Sequence, residues 1–169
     1  AVNIPPKTRR PGATLRRFLD RGAKFLKIHP AMDGEGVDSA HYHALLKVAD
    51  ERGIPVILHS GCIHTHIIYK NPELGNLERF ESWFRLYPKL RFVIAHMNYH
   101  HPEVAIDLAE QYPGLWLDTS WQPAETIAEA VRRIGAERIL MASDWPLVGN
   151  NLQVAVERVA ETVRSGWIT

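Results

Sequence analysis

Residues 55–60, PVILHS, place Val56, Ile57 and Leu58 without polar interruption between a proline and the polar pair His59-Ser60. A short apolar run rich in β-branched residues and bounded in this way reads as a strand covered on both faces, the kind found in parallel sheets. It stops on a titratable side chain, His59. The same grammar recurs on either side: RFVIAH (91–96) closes on His96, and RILMASDWP (138–146) runs out into Asp144 and Trp145. KFLKIH (24–29) carries Lys27 and His29 at its end, LWLDTS (115–120) carries Asp118, and VNI (2–4) reads as the end of one more strand.

Between these runs lie amphipathic stretches that predict helices near 12–21, 38–52, 75–87, 102–112, 123–135 and 150–165. In the last, Leu152, Val156, Val159 and Val163 recur at three or four and predict a stripe facing the core. Strand-helix-strand repetition with short connections gives parallel strands joined by right-handed crossovers, the α/β class. The repeat averages about 28 residues, so a (β/α)8 TIM-type barrel of roughly 250 residues needs two or three more units than this chain supplies, with the deficit at its front. Two architectures follow: a partial barrel of about five to six βα units, or an open doubly wound sheet. Either makes residues 1–169 a single domain.

The 46% apolar and 23% charged composition is that of a globular chain, and 169 residues suffice for a substantial core. Apolar runs stop far short of the roughly 20 residues that a membrane helix needs, and no signal-peptide pattern opens the chain. With a single cysteine, Cys62, no internal disulfide forms, which fits a cytoplasmic protein. The basic residues Lys7, Arg9, Arg10, Arg16, Arg17 and Arg21 read as a solvated helix face. Phe18 is the one aromatic residue among them, and no nucleic-acid motif accompanies them.

Side chains two apart on a strand share a face. Lys27 is thereby paired with His29, Ile57 with His59, Ile94 with His96, Trp116 with Asp118, and Ala142 with Asp144. Unpaired polar groups are costly to bury, so titratable groups at the ends of five consecutive strands predict a functional cluster. Strand ends are where α/β folds place their chemistry. His59, His96 and Asp144 form a candidate divalent-metal site, because neutral imidazole and carboxylate suit zinc and its neighbours. The loop after His59 adds Cys62, His64, Thr65 and His66, whose spacing matches no closed structural zinc pattern; it reads as a loop over the site mouth. His41 and His43 read as surface residues of a helix, and His100 and His101 as part of a turn.

Taken together, GAKFLKIHP, IPVILHSG, LRFVIAHMN, LWLDTS and RILMASDWP resemble the amidohydrolase-related branch of the metal-dependent amidohydrolase superfamily, from about Gly12 to the final helix. The resemblance implies a distorted (β/α)8 barrel with a divalent metal at its C-terminal mouth, zinc first and manganese second. It is the C-terminal two-thirds of that fold that the chain matches. His59 matches the family's fifth-strand ligand and Asp144 its last-strand ligand. His96 matches the sixth-strand histidine, which ligates a metal or works on the attacking water. Lys27 matches the fourth-strand lysine; with His29 and Trp145 it is expected to contact substrate. No strand supplies the first-strand His-x-His pair of the family, since His64-Thr65-His66 follows PVILHS, and the chain offers the metal two or three ligands.

The implied activity is hydrolysis of a C–O or C–N bond in a small anionic substrate. A metal with an open position lowers the pKa of water toward 7, and Asp144 or His96 takes and returns the proton. Decarboxylases and lactonases belong to the same family. The rival readings are a non-catalytic partial barrel, associating with itself or with a complementing N-terminal segment, and a doubly wound phosphate-binding domain. The second lacks both a Gly-rich strand-helix turn and a P-loop lysine.

Overall fold

A computed structural model describes residues 1–61, 69–147 and 149–168; Cys62, His64, Thr65 and His66 lie outside the described residues. Six strands, β1 (Val2–Asn3), β2 (Leu26–Ile28), β3 (Val56–His59), β4 (Phe92–Ala95), β5 (Leu115–Asp118) and β6 (Ile139–Leu140), form one sheet. Each neighbouring pair is parallel, and the strands lie in sequential order. That is the order of a barrel wall, whereas a doubly wound sheet reverses its order at a switch point. Among the described residues β1 and β6 do not pair with each other, so the wall is a partial barrel and the doubly wound alternative is set aside.

The helices are α1 (Pro11–Asp20), α2 (Pro30–Asp33), α3 (Ala40–Arg52), α4 (Glu81–Leu86), α5 (Pro102–Gln111), α6 (Ala124–Ile134) and α7 (Asn151–Arg164). The single helix expected near 75–87 is broken into two 3-10 turns, Pro72–Gly75 and Leu77–Phe80, followed by α4. Asn76 between the turns is extended, at φ −66° and ψ 120°, which interrupts any continuous helix. Arg16 pairs with Glu51, and Arg52 with Asp20 at 2.8 Å, joining α1 to α3 across exposed surface. Solvent screens such exposed pairs, which add little to stability.

Leu26, Ile28, Val56, Leu58, Phe92, Ile94, Leu115 and Leu117 face outward into one core with Leu45, Leu46, Phe80, Trp83, Ile106 and Ile127 of the helical layer and its turns. Their strand neighbours take the opposite face. Register sets Lys27 beside Ile57, Ile57 beside Val93, and Val93 beside Trp116, with His59 beside Ala95. This inner face carries the titratable groups toward the mouth.

Two pairings expected from strand alternation do not hold: β6 ends at Leu140 rather than Ser143, so Ala142 and Asp144 lie beyond the strand and Asp144 takes a φ of 57°. Ile94 is in register with Leu58 and packs in the outer core, so it cannot share a face with a side chain of the inner wall. The strand ends at Ala95, and His96 takes a left-handed φ of 59° that carries its ring around to the inner side. The stripe on α7 also differs. Leu152, Val156 and Val163 are all more than half exposed, while Ala155 and Thr162 are buried and Val159 packs against the core. α7 lies against α6 beyond the two-residue edge strand β6, and that narrow wall covers one small-residue face only. His41 is no free surface group either: it is half-buried, with Nε2 2.8 Å from the Ile4 carbonyl. His43 is likewise half-buried and meets Trp83 edge-on.

Candidate active site

His59 is the last residue of β3 and His29 follows β2 directly, so the parallel register that matches Ile28 with Leu58 brings the two imidazoles side by side. Their rings stack with centroids 3.7 Å apart and planes 14° from parallel. On the other side of His59, the His96 ring stands edge-on at 4.8 Å. A cavity of about 220 Å³ opens here, lined by His59, His96 and Asp144 together with the aromatic side chains of Tyr69, Tyr99 and Trp121. Asp144 has φ 57°, and its Oδ2 accepts the Trp121 indole N–H at 3.0 Å.

The four residues His96, Met97, Asn98 and Tyr99 all have positive φ, between 45° and 64°. Left-handed backbone costs about 1–2 kcal/mol per non-glycine residue, so the turn has to be held from outside itself. Asp118 Oδ1 accepts the His96 backbone N–H at 3.0 Å, and the buried Gln122 donates from Nε2 to the carbonyls of His96 and Tyr99 at 2.7 and 2.9 Å. Gly61, at φ 68°, packs directly on the Asn98 backbone, where a Cβ has no room. Two strand-end loops thus interlock under the cavity floor.

A family model for amidohydrolase matches residues 1–155. This chain belongs to the amidohydrolase family. No curated protein matches it. Among solved structures it is similar to an uncharacterized TIM-barrel protein from Bordetella bronchiseptica, at 18% identity and TM-score 0.70 over 96% of this chain and 65% of that one. It is similar also to a dihydroxybenzoic acid decarboxylase from a Polaromonas species with bound manganese and the inhibitor 2-nitroresorcinol, at 18% identity and TM-score 0.63, covering 89% and 58% of the two chains. An amidohydrolase from Mycobacterium avium subsp. paratuberculosis matches at 20% identity and TM-score 0.62, over 95% and 52%. The chain therefore spans less than two thirds of each of these structures. The likeness is one of fold.

In this amidohydrolase-family wall, burial pushes the His59 imidazole well below its ordinary value, with the neighbouring His29 and Lys27 adding to the effect. Burial and then the Lys27 charge lower His29 to about 4. His96 is lowered by burial against the opposing pull of Asp118 and Asp144. All three rings are neutral near pH 7, the form in which imidazole ligates a metal or accepts a proton.

Of the residues singled out in the sequence, His59, His96 and Asp144 line the one cavity, and His29 joins through its stacked ring. Lys27 lies on the same inner face and projects its charge onto all three histidines, though the cavity lining does not include it. Trp145 is 62% exposed and stands outside that lining; the indole of the cavity belongs to Trp121. The donor types suit a divalent cation, yet among the described residues no three His, Cys, Asp or Glu side chains are disposed to hold one. Ser120, Gln122, Tyr69, Tyr99 and Trp121 were not singled out by the sequence reading. Ser120 alone had a signal, since two residues after Asp118 it falls on the same strand face.

Proposed function

We propose that this cavity is part of the active site of a metal-dependent hydrolase that cleaves a C–O or C–N bond in a small anionic ring compound. The observation carrying the reading is the meeting of two neutral imidazoles, His59 and His96, and the Asp144 carboxylate on one aromatic-walled cavity at the C-terminal mouth of parallel strands. His59, His96 and Asp144 would hold a divalent ion, zinc or manganese, only by drawing closer together than they stand here, with the rest of its ligands coming from outside the described residues. When bound, such an ion supplies Lewis acidity and makes a nucleophile of water near neutral pH.

The chain's own groups do the rest. Trp121 N–H fixes one oxygen of Asp144 and leaves the other free to exchange a proton. Asp144, or His96 where its Nε2 is not on the ion, takes the proton of the attacking water and returns it to the leaving group. Tyr69, Tyr99 and Trp121 wall a planar substrate, and the positive field of Lys27 beside His29 favours a carboxylate on it. The lone cysteine accords with action in the reducing cytoplasm.

A second reading, decarboxylation of a hydroxylated aromatic acid, uses the same cavity. It is favoured by the aromatic walls and by the manganese-bound decarboxylase among the similar structures. The test is Asp144→Asn, assayed with added zinc or manganese against lactones, amides and hydroxybenzoates, with carbon dioxide release separating the two readings. The expected loss is at least about a hundred-fold, the low end of what a positioned acid-base group contributes. Undiminished turnover in the variant overturns the assignment.

A further inference from the structure

Behind the cavity wall, three buried groups form a chain of hydrogen bonds. His96 Nδ1 lies 2.6 Å from Ser120 Oγ, and Ser120 Oγ in turn donates to Asp118 Oδ1 at short range. Asp118 Oδ1 also accepts the backbone N–H groups of Ser120 and His96, each at 3.0 Å. His96, Asp118 and Ser120 are 7%, 8% and 1% exposed, so water does not compete for these bonds. A serine hydroxyl has one proton. With that proton given to the carboxylate, Oγ faces His96 Nδ1 with lone pairs only, and the ring nitrogen has to be the donor.

We propose that Asp118 and Ser120 are positioning residues that lock His96 in its Nδ1–H tautomer, leaving the Nε2 lone pair for the cavity. The assignment rests on the reading of the cavity as an active site and adds to it which nitrogen does the work. Nε2 is the atom that binds a metal or takes a proton; without Ser120 the two tautomers interconvert and the ring loses its anchor. Groups that orient a ligating or basic imidazole in this way are worth about ten- to a hundred-fold in activity or metal affinity. The backbone N–H of His96 bonds the same carboxylate oxygen, so Asp118 sets the main chain and, through Ser120, the ring.

The test uses the whole chain labelled with nitrogen-15 in histidine, treated with chelator and held at a pH where imidazole is neutral. The His96 signals are assigned by their loss in His96→Gln. Long-range proton-nitrogen correlation is expected to show a protonated Nδ1 and an unprotonated Nε2 in the wild type. In Ser120→Ala the pattern should move to Nε2–H or to an exchange-averaged mixture, and in Ser120→Thr, which keeps the hydroxyl, it should return. Asp118→Asn serves as the second variant if Ser120→Ala fails to fold, and is expected to disturb the same signals. Once a substrate is in hand, Ser120→Ala should lower kcat by ten-fold or more with KM little changed. A wild-type spectrum with Nε2 protonated, or one unchanged by both Ser120→Ala and Asp118→Asn, overturns the proposal. Because the spectra need neither substrate nor metal, that failure is distinct from finding no turnover, which would count against the catalytic reading instead.

Discussion

Gln122, 2% exposed, gives both amide hydrogens to the left-handed turn that presents His96. Gln122→Leu keeps the side chain's approximate size but leaves two carbonyls without that donor. The His96 carbonyl keeps the Tyr99 backbone N–H at 2.7 Å, so the expected loss is about 1–3 kcal/mol for the Tyr99 carbonyl alone, read as a lower urea midpoint with an unchanged slope. A midpoint equal to the wild type would mean that other groups hold the turn. Gly61 offers a sharper comparison with Gly53. Both have φ near 65°, at 68° and 62°, so alanine at either carries the left-handed cost of about 1–2 kcal/mol. Around Gly53 a Cβ meets open space, whereas at Gly61 it collides with the Asn98 backbone. Gly61→Ala should therefore destabilise the chain well beyond Gly53→Ala in the same unfolding assay and disturb the cavity. Equal losses would show that the two loops are not interlocked.

The strands were legible as elements because most are apolar runs, with Lys27 in β2 the polar residue inside one, and Val56–His59 falls wholly within the predicted 55–60. The end at His59 was legible too, since it needs only the strand to stop, whereas Asp144 lies beyond β6, which ends at Leu140, and takes a φ of 57°. The facing of His96 was not, because alternation ends with the strand at Ala95 and the deciding quantity is a φ of 59°, which no periodicity encodes. The partners Ser120 and Gln122 were missed for a related reason: hydroxyl and amide side chains are common in turns, and only contact across 24 and 26 residues gives them a role. α7 shows how periodicity can be right about the helix and wrong about its face. Leu152, Val156 and Val163 satisfy the spacing, but Ala155, Val159 and Thr162 satisfy it equally and are the ones covered. Leu152→Gln and Val156→Gln should each shift unfolding by about 0.5 kcal/mol or less, as exposed sites do. Ala155→Leu, by contrast, should overpack the contact with α6 and cost about 1–3 kcal/mol. Comparable losses at Leu152 and Ala155 would place the buried face on the other stripe.

Across the whole molecule, folding concentrates three imidazoles in the mouth of the sheet and holds each of them neutral. The unfolded chain protonates a histidine near 6.5, while folded His29 waits until about 4, and His59 and His96 are lowered in the same direction. As pH falls through that interval the unfolded state binds protons that the native state refuses, so stability decreases. Each fully unmatched proton adds a slope of about 1.4 kcal/mol per pH unit. Above pH 7 the rings are neutral in both states and contribute no slope. The exposed carboxylates of Glu81 and Glu110, lowered by hydrogen bonds from Tyr112 and from Arg133, also favour the folded chain only while ionised, but their loss begins around the ordinary 4.5 and below. The two families of groups therefore separate in pH. Urea midpoints measured at close intervals with chelator present, so that no metal is linked to the equilibrium, should begin to fall near 6.5 and steepen again below 4.5. His29→Gln removes one unmatched proton from the upper interval and should flatten it there while leaving the lower interval intact. A midpoint that stays level from 7 down to 5 in the wild type would mean that the buried rings take up protons in place, and that the mouth is open enough for water to solvate their charge.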